Sequence, residues 1–153
     1  MAAEAQPVGL SGGCQCGAVR YRLDAAPEWA GLCHCRMCQK AGGAPFMAFA
    51  GVHLAELVWT RGAPKVFASS AIGERGFCGD CGTPLTYRGY GRDRVGVTIG
   101  SLDQPAAVAP IVQYAAESKL AWLDDVAELP LGKFSNPVDP AHLGNRQHPD
   151  HDT

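Results

Sequence analysis

Seven cysteines punctuate this 153-residue chain, and their spacing is its most chemically loaded feature. Cys33, Cys35 and Cys38 fall in one short run, Cys33-His34-Cys35-Arg36-Met37-Cys38. The others form two close pairs, Cys14-Gln15-Cys16 and Cys78-Gly79-Asp80-Cys81. Thiols this close together match the ligand pattern of a metal better than a disulfide framework, and an odd number cannot all pair within the chain. In an extended segment alternate side chains share a face, so Cys33 and Cys35 point together while His34 points away. A turn through Arg36-Met37 brings Cys38 back beside them. Three converging thiolates describe a metal with an open position.

A structural zinc site is closed by four ligands, whereas a catalytic one keeps a place for an outside ligand. Cys14, Cys16, Cys78 and Cys81 can supply the closed set, leaving Cys33, Cys35 and Cys38 as the open one. Spacing alone also permits Cys33, Cys35, Cys78 and Cys81 to share a metal. An iron–sulfur cluster is a further option for so thiolate-rich a set, but the Gly-rich knuckles favour zinc. The expectation is two zinc ions per chain, with the binding energy of the closed site forming part of the folding energy.

The elements that must position these thiols are short. Ser11-Gly12-Gly13-Cys14-Gln15-Cys16-Gly17 is a knuckle running into a strand in which Val19, Tyr21 and Leu23 alternate with arginines. Cys78 to Gly82 is a second knuckle, leaving through Leu85 to Arg88. Gln39-Lys40-Ala41 forms a helical turn stopped at Gly42-Gly43-Ala44-Pro45. Phe46 to Val52, Arg94 to Ile99 and Ile111 to Ala116 read as strands. Leu57 to Thr60 and Lys65 to Ala68 read as a hairpin around Arg61 to Pro64, and Trp122-Leu123 as a cap on the core. Many short strands punctuated by Gly and Pro imply a mostly-β domain. Residues 1–9 are expected to be a flexible lead-in, 10–133 the zinc domain, and 134–153 a polar, flexible tail whose His142, His148 and His151 hold no metal.

Composition narrows the function. Hydrophobic residues make up 46% and charged residues 18%, an ordinary globular balance. A net charge of -2, from 13 basic and 15 acidic side chains, leaves no electrostatic footprint for nucleic acid or an anionic membrane. No run is long enough to span a bilayer, and the first ten residues lack the marks of a signal peptide. The expected location is the cytoplasm, where reducing conditions favour metal over disulfides.

Three blocks then resemble a known family. Gly12 to Tyr21, Cys33 to Lys40 and Phe77-Cys78-Gly79-Asp80-Cys81-Gly82-Thr83-Pro84-Leu85 stand in the order of the glutathione-dependent formaldehyde-activating enzyme / centromere protein V family. The resemblance runs from about Leu10 to Leu123. It implies a β-tent type fold of packed antiparallel sheets, a structural zinc on Cys14, Cys16, Cys78 and Cys81, and a labile catalytic zinc on Cys33, Cys35 and Cys38. It also implies carbon–sulfur lyase chemistry, joining glutathione and formaldehyde into S-hydroxymethylglutathione. One departure stands out. Before Glu117-Ser118-Lys119 this chain has Gln113-Tyr114-Ala115, where many members carry His-x-Trp, and that bears on the choice of substrate.

The chemistry expected is a substrate thiol entering the fourth position, losing its proton and attacking a small carbonyl. Arg36 and Lys40 are candidates to bind a substrate carboxylate, with solvated surface charges as the competing reading. His34 is read as a supporting or packing residue rather than a base. Phe46 and Phe49 are read as core. Two alternatives come from other classes: a non-enzymatic zinc-stabilised binding module, and a redox-active or metal-buffering thiol protein.

Overall fold

The structure is a computed structural model that describes residues 7–132 and 144–151. Chain segments rich in alternating apolar residues form its strands, in chain order β1 (Ser11–Gly13), β2 (Arg20–Leu23), β3 (Trp29–Cys33), β4 (Met47–His53), β5 (Leu57–Arg61), β6 (Lys65–Ser70), β7 (Gly73–Phe77), β8 (Pro84–Gly89), β9 (Arg94–Thr98) and β10 (Val112–Tyr114). The one α-helix among the described residues, α1 (Arg36–Gly42), ends on Gly43 in the left-handed region, where a side chain would be strained.

Two sheets result. β1, β2 and β5 form the smaller, and the larger runs β10-β3-β4-β9-β8-β7-β6, antiparallel except where β10 joins β3. This is the mostly-β, packed-sheet architecture expected of the chain. Alternation assigns the larger sheet's faces. Ala30, Ala50 and Val97 stand in register on one face and pack into the main core with Tyr21 and Leu23 of β2. Tyr21 is wholly buried, with its hydroxyl 2.7 Å from Ser101 Oγ and its ring edge-on to Trp59. The other face carries Cys33 paired with Met47, then Phe49 on β4, and, beyond β9, Tyr87, Arg75 and Phe67 in register across β8, β7 and β6. It is the face on which the second cysteine group sits.

Two expectations are corrected. β5 and β6 do not form a hairpin: β5 pairs with β2 and β6 with β7, in different sheets. Trp59 of β5 finds the buried ring of Tyr21, and Gly62 turns the chain away with a left-handed φ of 58° and no room for a side chain beside the Ala18 carbonyl. Trp122 does not cap the core. It lies in a 3-10 helix, Ala121–Glu128, with no buried residue, and is 54% exposed; Val108, Ile99 and Leu102 fill that end instead.

The described part of the polar tail lies over the surface at the first knuckle. His148 donates its backbone N–H to Gln15 O at 2.7 Å, and Arg20 Nη2 donates to His151 O at 3.0 Å, so this segment straps the first knuckle. His142 and residues 1–6 lie outside the described residues. None of the described helices is long and apolar enough to cross a membrane.

Candidate metal centres

The first knuckle is folded by its own backbone. Gly17, at φ 77°, donates to Cys14 O at 3.1 Å, and Val19 N–H donates to Cys14 Sγ at 3.2 Å. The second repeats the device: Gly82, at φ 80°, donates to Cys78 O at 3.0 Å, and Asp80 N–H donates to Cys78 Sγ at 3.4 Å. Thr83 ties them together, its hydroxyl accepting from Gln15 N–H at 3.0 Å and lying 3.2 Å from Cys81 Sγ. The sulfurs of Cys14, Cys16, Cys78 and Cys81 all lie within 4.8 Å of one another. A tetrahedral metal with sulfur bonds of about 2.3 Å separates its sulfurs by about 3.8 Å. Cys14 to Cys16 is 3.6 Å and Cys16 to Cys78 is 3.8 Å, so the donors fit such an ion.

The second group sits where β3 gives way to α1. Cys33 ends the strand, Cys35 caps the helix by accepting from Cys38 N–H at 3.4 Å, and Cys38 lies in the first turn. These three sulfurs also lie within 4.8 Å of one another, with no fourth His, Cys, Asp or Glu joining the group among the described residues. Cys38 is buried and packs with Met47 and Phe49; Trp29, Tyr87, Cys33 and Cys35 complete that cluster. The grouping of the seven thiols is therefore four and three, and Cys78 and Cys81 stand apart from Cys33 and Cys35.

Each group pulls one thiol toward ionisation and pushes another away. At Cys81 burial opposes ionisation, but hydrogen bonds from Thr83 and Cys16 outweigh it and bring the thiol down to about 6. Cys16 has an amide bond from Ala18 in its favour, yet burial and its neighbouring thiols push it up to about 12. In the second group burial works against Cys35, but bonds from Cys38, Cys33 and the Met37 amide lower it. Burial pushes Cys38 up to about 12 despite a bond from Arg75. Burial and the hydrogen bonds among these close sulfurs produce the split, and a cation bound between them would let the later protons leave.

Arg75 is the residue that sequence reasoning missed. Its side chain is buried, with Nη2 donating to Cys38 Sγ at 3.3 Å, Nη1 3.7 Å from Met47 Sδ, and the guanidinium 5.0 Å from the Tyr87 ring centroid. No carboxylate pairs with it among the described residues. A buried cation without a carboxylate requires another counter-charge, and the thiolates are the groups at hand. β6, β7 and β8 pair as neighbours in sequence, but what makes Arg75 part of the site is its reach to Cys38 and Met47 on distant α1 and β4, so no local signal marks it.

The other candidates separate. His34 is buried away from the sulfurs, its Nε2 2.9 Å from Gln113 Oε1 and its ring edge-on to Phe46. Gln39 Nε2 donates to His34 O at 2.9 Å and to Ser118 O at 3.1 Å, tying α1 to the segment after β10. Phe49 is core, whereas Phe46 is half-buried against His34. Arg36 turns to Gln39 Oε1 at 3.2 Å, while Lys40 lines a cavity beside Arg75.

Comparison with known proteins agrees with this picture. A crystal structure of a Rhodobacter sphaeroides protein superposes with a TM-score of 0.55 over 67% of this chain and 98% of that one, at 21% identity, a likeness of fold alone. An uncharacterized lyase of Schizosaccharomyces pombe is 33% identical over 76 residues, which is half of this chain and 55% of that protein's length. The sequence model named glutathione-dependent formaldehyde-activating enzyme matches residues 9–118. On that match, over most of its length, this chain belongs to the glutathione-dependent formaldehyde-activating enzyme family.

Proposed function

We propose that the chain is a zinc-dependent carbon–sulfur lyase that joins a thiol to a small aldehyde, and releases them, at Cys33, Cys35 and Cys38. The observation that carries this reading is a three-sulfur group without a fourth protein ligand among the described residues, backed by a buried arginine. Cys14, Cys16, Cys78 and Cys81 serve as the structural zinc site, which four donors saturate.

When bound at the three-cysteine site, zinc supplies an open position for the incoming thiol and favours loss of its proton near neutral pH. The protein's residues do the rest. Cys33, Cys35 and Cys38 would hold the ion, and the α1 backbone keeps Cys35 in place through the Cys38 amide. Three thiolates and a divalent ion carry a net charge of about -1, which the Arg75 guanidinium against Cys38 offsets. In the forward reaction the sulfur forms a bond to the aldehyde carbon, the carbon–oxygen π bond becomes a hydroxyl, and the thiol's proton ends on that oxygen. Glutathione and formaldehyde are the pair the family description names, and the cytoplasm is the setting.

The test is Cys35→Ser in anaerobically purified protein. The expected result is a folded domain with one zinc instead of two and adduct formation from glutathione and formaldehyde reduced to the uncatalysed background. A Cys35→Ser protein that turns over at the parent rate overturns the proposal.

A further inference from the structure

Beside the three-cysteine site, and separated from it by Arg75, lies a cavity of about 540 Å³ between α1 and the β6, β7 and β8 strands. That volume is in the range that holds small organic molecules. Its walls are largely apolar, with Met37, Met47, Phe67 and Phe77 prominent. Two cations line it, Lys40 and Arg75, and no aspartate or glutamate does. Lys40 makes no ion pair among the described residues, and Arg75 keeps a buried Nε with no hydrogen-bond partner. Because Arg75 both lines the cavity and touches Cys38 Sγ at 3.3 Å, an occupant lies one side chain away from the thiols.

Resting on the reading of the three-cysteine site as a thiol–aldehyde centre, we propose that this cavity holds the organic body of the substrate and selects a compact apolar molecule with a single carboxylate. Apolar walls stabilise the body, and Lys40, the lining cation not already engaged by a sulfur, complements the carboxylate. Glutathione fits less well: with Arg75 held by Cys38 its second carboxylate finds no free cation, its ammonium group finds no acid, and its polar peptide backbone meets Met and Phe side chains. The recognition residues are thus Lys40 for charge and Phe67 for shape, both outside the cysteine ligand set.

The test is calorimetric binding to the zinc-loaded full chain with probes that carry no thiol: 3-phenylpropionate, and 3-phenylpropan-1-ol as its uncharged counterpart. The acid should bind more tightly than the alcohol. Lys40→Gln should weaken the acid about fivefold, as expected for loss of a partly exposed ion pair, and leave the alcohol unchanged. Phe67→Ala, on an exposed edge strand, should weaken both. Absence of binding, equal binding of acid and alcohol, indifference to Lys40→Gln, or tighter binding of glutathione than of 3-phenylpropionate each overturns the proposal. Adduct formation is measured separately. Binding without turnover leaves the cavity assignment standing and removes the lyase reading, and turnover without binding does the reverse.

Discussion

Each cysteine group has one buried arginine next to it, and the two arginines are used in opposite ways. Arg20, just after the first knuckle, is 2% exposed and engages Asp103 with both Nη atoms, at 2.9 and 2.6 Å. Arg75, beside the second group, is 8% exposed, and among the described residues its guanidinium meets two sulfurs and an aromatic ring but no carboxylate. Where four cysteine sulfurs converge, the neighbouring cation is neutralised by a carboxylate and contributes to holding β2 in place. Where three do, the cation is left to the thiolates. On the function proposed above, the difference separates a site built for closure from one whose charge is balanced with a coordination position left over. It also accounts for their supports, since loop knuckles pin distant segments together whereas the second group hangs on a strand end and one short helix.

The sharpest break of this comparison is Cys78→Ser. A four-cysteine zinc site contributes about 10–16 kcal/mol in isolated zinc-finger peptides, against a net stability of about 5–15 kcal/mol for a whole domain. Circular dichroism of Cys78→Ser should therefore show an unfolded or molten chain, in contrast to folded Cys35→Ser; a cooperative melt near that of the parent would collapse the distinction between the groups.

A smaller loss is expected from Asp103→Asn. Leaving a buried Arg20 without its carboxylate costs about 3–5 kcal/mol in comparable pairs, read as a lowered urea midpoint. The pH dependence follows from the sign of the shift. Burial opposes ionisation of Asp103, but Arg20 and Ser11 outweigh it and hold the carboxyl below its usual range. Its contribution is full above about pH 4 and is lost as pH falls through the depressed value. The stability gap between parent and Asp103→Asn should thus close on acidification, and a gap constant down to pH 2 would remove the carboxylate from the account.

The smallest effect concerns Arg75→Met, which keeps an unbranched chain and removes the charge. A hydrogen bond to a charged group is worth about 1.5–3 kcal/mol, so zinc should leave the three-cysteine site roughly ten to a hundred times more readily in chelator competition. The four-cysteine ion should be retained as in the parent. Equal release from parent and variant would mean that the guanidinium does not stabilise the thiolates.

The parts of the fold legible in the sequence are those governed by local geometry. Knuckle turns at Gly17 and Gly82, the alternation that turns His34 from Cys33 and Cys35, and the β9 pattern of Val95 and Val97 are visible within a few residues. What escaped reading is set by distant partners. β1 is a strand at Gly12 and Gly13, which display no pattern; a side chain at Gly12 would strike the Tyr21 hydroxyl and the Ser101 carbonyl. β7 hides its alternation because the residue facing the second group is an arginine. β5 looked like the partner of β6 until the buried edge of β2 claimed it, and Trp122 looked like core because hydrophobicity alone does not reveal exposure. Spacing marked the seven cysteines as metal ligands but left open which pair joins which, a choice that the three-dimensional grouping into four and three makes; Arg75 carried no such mark.

The strap over the first knuckle carries a constraint of its own. Gly17 is held at a left-handed φ of 77°, and the His148 ring stands 2.4 Å from where a Cβ would go. Asparagine, the residue most tolerant of that backbone after glycine, is barred here by crowding rather than by torsion. Positions 17 and 148 are therefore sterically coupled: any side chain at 17 requires the His148 ring, and with it the strap, to move.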